Sequence, residues 1–124
     1  MSLFNALLGT SSKMNPDEIM RKFGHMIIEG ENLQYAYQSI RDFFVFTNKR
    51  LIVVDKQGFT GRKAEYFCIP YRSISFYSIE TAGTFEIDSE LKIWIRGMDQ
   101  PLVKEFRKEN DLKEVYQILS RHVI

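Results

Sequence analysis

The spacing of apolar residues changes period along this chain, and the changes mark its elements. Leu3, Phe4, Leu7 and Leu8 fall on one side of a helical wheel, and Gly9 with the polar run from Thr10 to Lys13 ends that pattern. A short amphipathic helix is predicted there. Asn15, Pro16, Asp17 and Glu18 then read as a helix start. Asn15 caps, Pro16 suits the first helical position, and Glu18 reaches back as in a capping box; Gly24 is the stop. Ile19, Met20 and Phe23 form the apolar stripe of this helix, which is predicted to pack on the main body.

From Leu33 the period falls to two, with Leu33, Tyr35 and Tyr37 alternating against Gln34, Ala36 and Gln38. Phe43 to Thr47 and Leu51 to Asp55 are further strands, joined by a tight Asn48–Lys49 connection. This pair is apolar on both faces: Phe43 and Val45 oppose Phe44 and Phe46, and Leu51 and Val53 oppose Ile52 and Val54. A half-exposed antiparallel strand keeps one face polar, so something must cover the second face. Tyr66 to Ile69 reads as a strand stopped by Pro70, Ile74 to Ile79 as another, and Ala82–Gly83 as a break before Phe85 and Ile87. Leu91, Ile93 and Ile95 alternate with Lys92, Trp94 and Arg96, and Leu102 to Phe106 is a weaker last strand. Helical spacing returns at Leu112, Val115, Tyr116, Leu119 and Val123, with Asp111 and Glu114 as a capping-box start. Short strands followed by one helix predict a mainly β sandwich or partly open barrel with the helix across an open end or edge.

Composition narrows this picture. A chain of 124 residues has room for one core. Its 44% hydrophobic and 27% charged content is that of a globular domain. A net charge of +1 provides no general field for nucleic acid or an acidic membrane. Cys68 is the only cysteine, which excludes an intrachain disulfide and a Cys-based zinc site and fits a reducing cytoplasm. The start lacks the basic region of a signal peptide, and no run approaches the ~20 apolar residues that span a bilayer.

The run TNKRLIVVDKQGFTGRK from Thr47 to Lys63, IPYRSI from Ile69 to Ile74, ETAG from Glu80 to Gly83 and SELKIWIRG from Ser89 to Gly97 together resemble the bacterial pleckstrin-homology (PH) domain family. The resemblance implies a PH-like fold of two antiparallel sheets, about seven strands in all, with a C-terminal capping α-helix, which the strand and helix reading reaches independently. It places the PH-like domain at 15–124 behind an N-terminal amphipathic segment at 1–14. It also implies a domain that self-assembles into closed rings and whose biochemical role is uncharacterised.

The resemblance to PH domains that hold phosphoinositide headgroups makes Lys49, Arg50, Arg62 and Lys63 the candidates for an anion or phosphate site. Arg and Lys suit that chemistry, but Asp42, Asp55 and Glu65 are nearby, and a solvated hairpin face is the simpler reading. GFTGRK lacks the spacing and the Ser or Thr of a phosphate loop, so nucleotide binding is rejected. His25 and His122 have no metal-ligand spacing; Cys68 reads as a small buried hydrophobe; Asp88 and Glu90 flank a turn. Trp94 is either core or an interface anchor.

The expectation is therefore a noncatalytic protein-interaction module without a cofactor, located in the cytoplasm, that forms a cyclic homo-oligomer through the doubly apolar strands at Phe44, Phe46, Ile52 and Val54. A further protein partner and a weak membrane-surface contact by Leu3 to Leu8 with the basic loops are the other expected associations, and peripheral anionic-headgroup binding is the alternative function.

Overall fold

A computed structural model describes residues 12–38, 42–57, 63–81, 89–106 and 109–124. A two-residue strand β1 (Ser12–Lys13) precedes helix α1 (Pro16–Phe23) and a 3-10 turn (Gly24–Met26). Strands β2 (Leu33–Gln38), β3 (Asp42–Thr47), β4 (Arg50–Gln57) and β5 (Lys63–Pro70) follow, then a second 3-10 turn (Tyr71–Ser73). Strands β6 (Ile74–Glu80), β7 (Ser89–Ile95) and β8 (Leu102–Phe106) and helix α2 (Glu109–Val123) complete the described chain. One antiparallel sheet has the order β1-β2-β3-β4-β5 and the other β6-β7-β8. Without the short β1 these are the four- and three-stranded sheets expected of a PH-like fold. The Leu3 to Leu8 helix and the break before Phe85 and Ile87 lie outside the described residues.

Helix α1 begins as its sequence dictates. Asn15 Oδ1 accepts from the Glu18 backbone N–H at 2.9 Å, and Asn15 Nδ2 donates to Glu18 Oε1 at 3.0 Å. Asp17 and Glu18 stand in the first turn and Arg21 and Lys22 in the last, matching the helix dipole. Ile19 and Phe23, four residues apart and hence on one side, are buried. Together with Met14 they pack on Ala36, Phe43, Val45, Ile52 and Val54. The Phe23 and Phe43 rings meet edge to face at 5.3 Å. This helix is what covers the second face of the doubly apolar strands. Met20, expected in the same stripe, lies about 100° round the helix from Ile19 and is exposed.

The opposite face of those strands is the main core. Tyr37, Phe44, Phe46, Leu51 and Val53 meet Leu91, Ile93 and Phe106 from the second sheet, and α2 closes the space with Leu112, Val115, Ile118 and Leu119. Each such side chain contributes about 1.5–3 kcal/mol through removal from water. Helix α2 starts at Glu109, ahead of the expected Asp111. Glu114 docks the helix on the first sheet: its Oε2 accepts from Tyr37 Oη at 2.6 Å. Burial, and then this carboxylate, push the Tyr37 phenol above its ordinary range. On the other side Tyr77 Oη and Ser120 Oγ share a 2.6 Å hydrogen bond, so α2 is fixed to both sheets. Tyr116, expected to face inward, is 40% exposed and meets the Tyr77 ring edge to face.

A second clasp joins the sheets. Asp42 and Asp55 are cross-strand partners on β3 and β4, where like charges repel. Lys104 from β8 reaches both, at 3.2 Å to Asp42 Oδ2 and 3.4 Å to Asp55 Oδ2. Burial still raises the Asp42 carboxyl above its usual range, with Lys104 pulling it back.

Candidate functional site

The β3–β4 hairpin carries two of the basic residues in the anion-site expectation, and the structure gives Arg50 a different task. Its Nε donates to Glu31 Oε2 at 2.8 Å and its Nη2 to Glu31 Oε1 at 3.0 Å, a forked pair. The same Nη2 also reaches the Met26 carbonyl at 3.0 Å. The Glu31 side chain is fully buried and accepts further bonds from Thr47 Oγ1 at 2.7 Å and the Ile28 N–H at 3.3 Å. The Arg50 hydrogen bonds above all, opposed by burial, hold its carboxyl at about 2 against an ordinary 4.5. Thr47 Oγ1 accepts from the N–H groups of Lys49 and Arg50, both at 3.0 Å, and the Thr47 carbonyl accepts from Tyr71 Oη at 2.7 Å. Asn48 bonds back to Asn32 and Gly30, where the positive φ of Gly30 allows the turn. The hairpin end is thus tied into the loop before β2, and the Arg50 guanidinium is engaged inside the chain.

The other basic candidates are not gathered around it. Lys49 is exposed at the hairpin. Lys63 pairs with Gln57 while Arg50 pairs with Pro70, so the two lie at opposite ends of β4. Those eight residues span roughly 25 Å at about 3.3 Å each. Arg62 lies outside the described residues.

The interface expectation is corrected by burial. Phe44, Phe46 and Ile52 are 0% exposed and Val54 is 2% exposed within the chain itself. Phe44 and Phe46 belong to the core between the sheets, and Ile52 and Val54 lie beneath α1. The exposed apolar strand residues are instead Tyr66 on β5, Phe76 on β6 and Val103 on β8. On β5, Tyr66 and Cys68 pair with Val54 and Ile52 and share their face, but α1 packs on β2, β3 and β4 only. One strand further out, Tyr66 and Cys68 are left exposed, which corrects the expectation of a buried Cys68.

On the second sheet, Leu91 and Ile93 point inward while Lys92 and Trp94 point outward. Trp94 stacks on its cross-strand partner Phe76 at 4.4 Å and 17°, and Phe76 is 55% exposed. Trp94 is therefore not a core residue. Its place on the Lys92 face was readable in the alternation, as was that of Phe76 beside Ser78 and Glu80. Among the described residues, β5 pairs only with β4, and β6 only with β7. Both present a free edge with an aromatic side chain in solvent.

Other candidates stay apart. His25 is exposed, and His122 stacks on Tyr71 at 4.1 Å. Glu90 pairs with Lys92 at 3.6 Å, and Asp88 lies outside the described residues. No group of three or more potential metal ligands is found among the described residues. No described helix is long and apolar enough to cross a membrane.

Known proteins share this arrangement. The uncharacterized protein YjqA of Bacillus subtilis (strain 168) is 46% identical over 121 residues, 97% of each chain. A DUF1696 family protein with a pleckstrin-homology domain from Shewanella loihica PV-4 has a crystal structure that superposes with a TM-score of 0.81. It is 45% identical, covering 94% of this chain and 99% of that one. The pleckstrin homology domain from Shewanella amazonensis SB2B also gives 0.81, at 41% identity over 99% of both chains. The family model described as bacterial PH domain matches residues 2–123, and the chain belongs to the bacterial PH domain family.

Proposed function

We propose that this chain is a noncatalytic interaction and assembly module of the cytoplasm that associates with copies of itself, head to tail, into a cyclic homo-oligomer. The observation that carries this reading is the pair of free strand edges at β5 and β6, flanked by exposed Tyr66 and Phe76 and by the Phe76–Trp94 stack. A row of unpaired backbone N–H and C=O groups is met best by another extended strand. Contact between the two different edges is heterologous, and heterologous contacts close into rings when the rotation per subunit allows. A net charge of +1 leaves little repulsion between copies.

Amide hydrogen exchange at high and low protein concentration tests where copies meet. Added protection at high concentration confined to 63–70 and 74–80 supports the reading. Concentration-independent exchange in both strands, in a protein shown to be multimeric, contradicts it.

A further inference from the structure

A trough runs along the seam between β2 and α2, at the opposite side of the first sheet from β5. It consists of two adjoining hollows of about 290 and 490 Å³ that share Tyr35, Ile118 and Arg121. Their combined reach is that of a small-molecule site. Lys13 and Gln117 line one end and Gln34 and His122 the other.

The walls are held in place by bonds already made. Glu114 accepts from Tyr37 Oη at 2.6 Å, with Lys13 Nζ 3.8 Å from the same carboxylate oxygen. Lys13 Nζ also stands 5.0 Å above the centre of the Tyr35 ring. His122 is stacked flat on Tyr71 and bonded to Gln34 Oε1 at 3.2 Å. Burial, then the nearby Arg121 charge, lower the His122 pKa.

Arg121 differs from its neighbours. Every other ionised side chain of the trough is paired, but the Arg121 guanidinium makes no hydrogen bond or ion pair among the described residues. It lines both hollows, as does the Tyr35 ring. Its planar fork matches a carboxylate or phosphate, and Lys13, above the Tyr35 ring and paired with Glu114, keeps that carboxylate from repelling an anion. The side-chain charges of Lys13, Arg121 and Glu114 leave one positive charge unbalanced. A bare ion would leave the half-buried Tyr35 ring uncovered, so the fit is to an organic anion.

We infer that this trough binds a small organic anion, a carboxylate or phosphate monoester with an aromatic or apolar body, whose charged group is held by Arg121 and whose body lies against Tyr35. The site is independent of the β5 and β6 edges and stands whether or not the chain assembles.

Isothermal titration of the full chain with phenyl phosphate tests it, with inorganic phosphate and phenol as partial probes. The expected result is one phenyl phosphate per chain, bound at least tenfold more tightly than either partial probe. Arg121→Met is expected to weaken binding tenfold or more while its melting temperature stays that of the parent, because the side chain supports no internal bond. Tyr35→Leu is expected to bring phenyl phosphate down to the affinity of inorganic phosphate. Vesicles of phosphatidylcholine with phosphatidic acid form the second arm. Capture by vesicles that is lost in Arg121→Met assigns the anion to a lipid, and Arg121-dependent binding of phenyl phosphate without vesicle capture assigns it to a free molecule. No phenyl phosphate or vesicle binding at millimolar probe, or binding unchanged by Arg121→Met, overturns the inference.

Discussion

The two sheets meet solvent in different ways. The first has its central strands buried on both faces, under α1 on one side and in the main core on the other, with its hairpin end locked by Glu31, Thr47 and Arg50. The second buries its inner face and leaves Phe76 exposed, stacked on the half-buried Trp94. The contrast shows that doubly apolar strands are not in themselves an interface. Here they are the platform on which α1 is fastened, and the available apolar surface begins where α1 stops, at β5, and continues on β6.

Mutations in the two regions should therefore behave differently. The largest effect is expected in the first sheet: Phe44→Ala empties a fully buried site against Phe106, their rings 5.3 Å apart. Loss of about 3–5 kcal/mol is expected in urea unfolding. Retention of parental stability would show that the core is not packed as described.

Next comes the hairpin lock. Glu31→Gln should cost about 3 kcal/mol at neutral pH, because the part-buried Arg50 loses its charge complement. The pH dependence has a defined sign. The Glu31 carboxyl is held at about 2 when folded and has an ordinary value of 4.5. Its stabilisation is complete above 4.5 and is lost as pH falls from there toward 2. Unfolding curves of the parent should show this acid loss and those of Glu31→Gln should lack it; parallel curves would contradict the assignment.

The clasp between the sheets ranks third. Lys104→Met removes the cation that Asp42 and Asp55 share, and about 2 kcal/mol should be lost at neutral pH. The raised Asp42 carboxyl acts in the opposite sense to Glu31: protonating it removes a buried charge. The deficit of Lys104→Met should accordingly shrink as pH falls through the carboxylate range, and a deficit that grows on acidification would exclude this clasp. The smallest effect on folding is expected on the open face. Phe76→Ser should change the stability of the dilute chain by no more than about 0.5 kcal/mol.

Much of this was legible in the residues because local rules and tertiary packing agree. Asn15, Pro16 and Glu18 specify the start of α1 by hydrogen bonds within four residues, and the period of two from Leu91 to Ile95 sets which residues face the core. The apolar second face of β3 and β4 required a cover, and α1 provides it. What escaped sequence reading depends on partners distant in the chain. Arg50 resembles a free loop cation until Glu31, 19 residues earlier, is seen buried against it. Cys68 sits in an apolar run, yet its exposure is decided by how many strands α1 spans. The trough also joins residues remote in sequence: Tyr35 and Arg121 come from β2 and α2, and no local motif links them.

The measurement that addresses self-association most directly is the solution mass by light scattering on a sizing column, over a dilution series of the parent chain and of Phe76→Ser. The account predicts a parent mass that is a fixed multiple of 14.6 kDa, and a shift of Phe76→Ser toward the single-chain mass. A parent chain of 14.6 kDa at every concentration would contradict it.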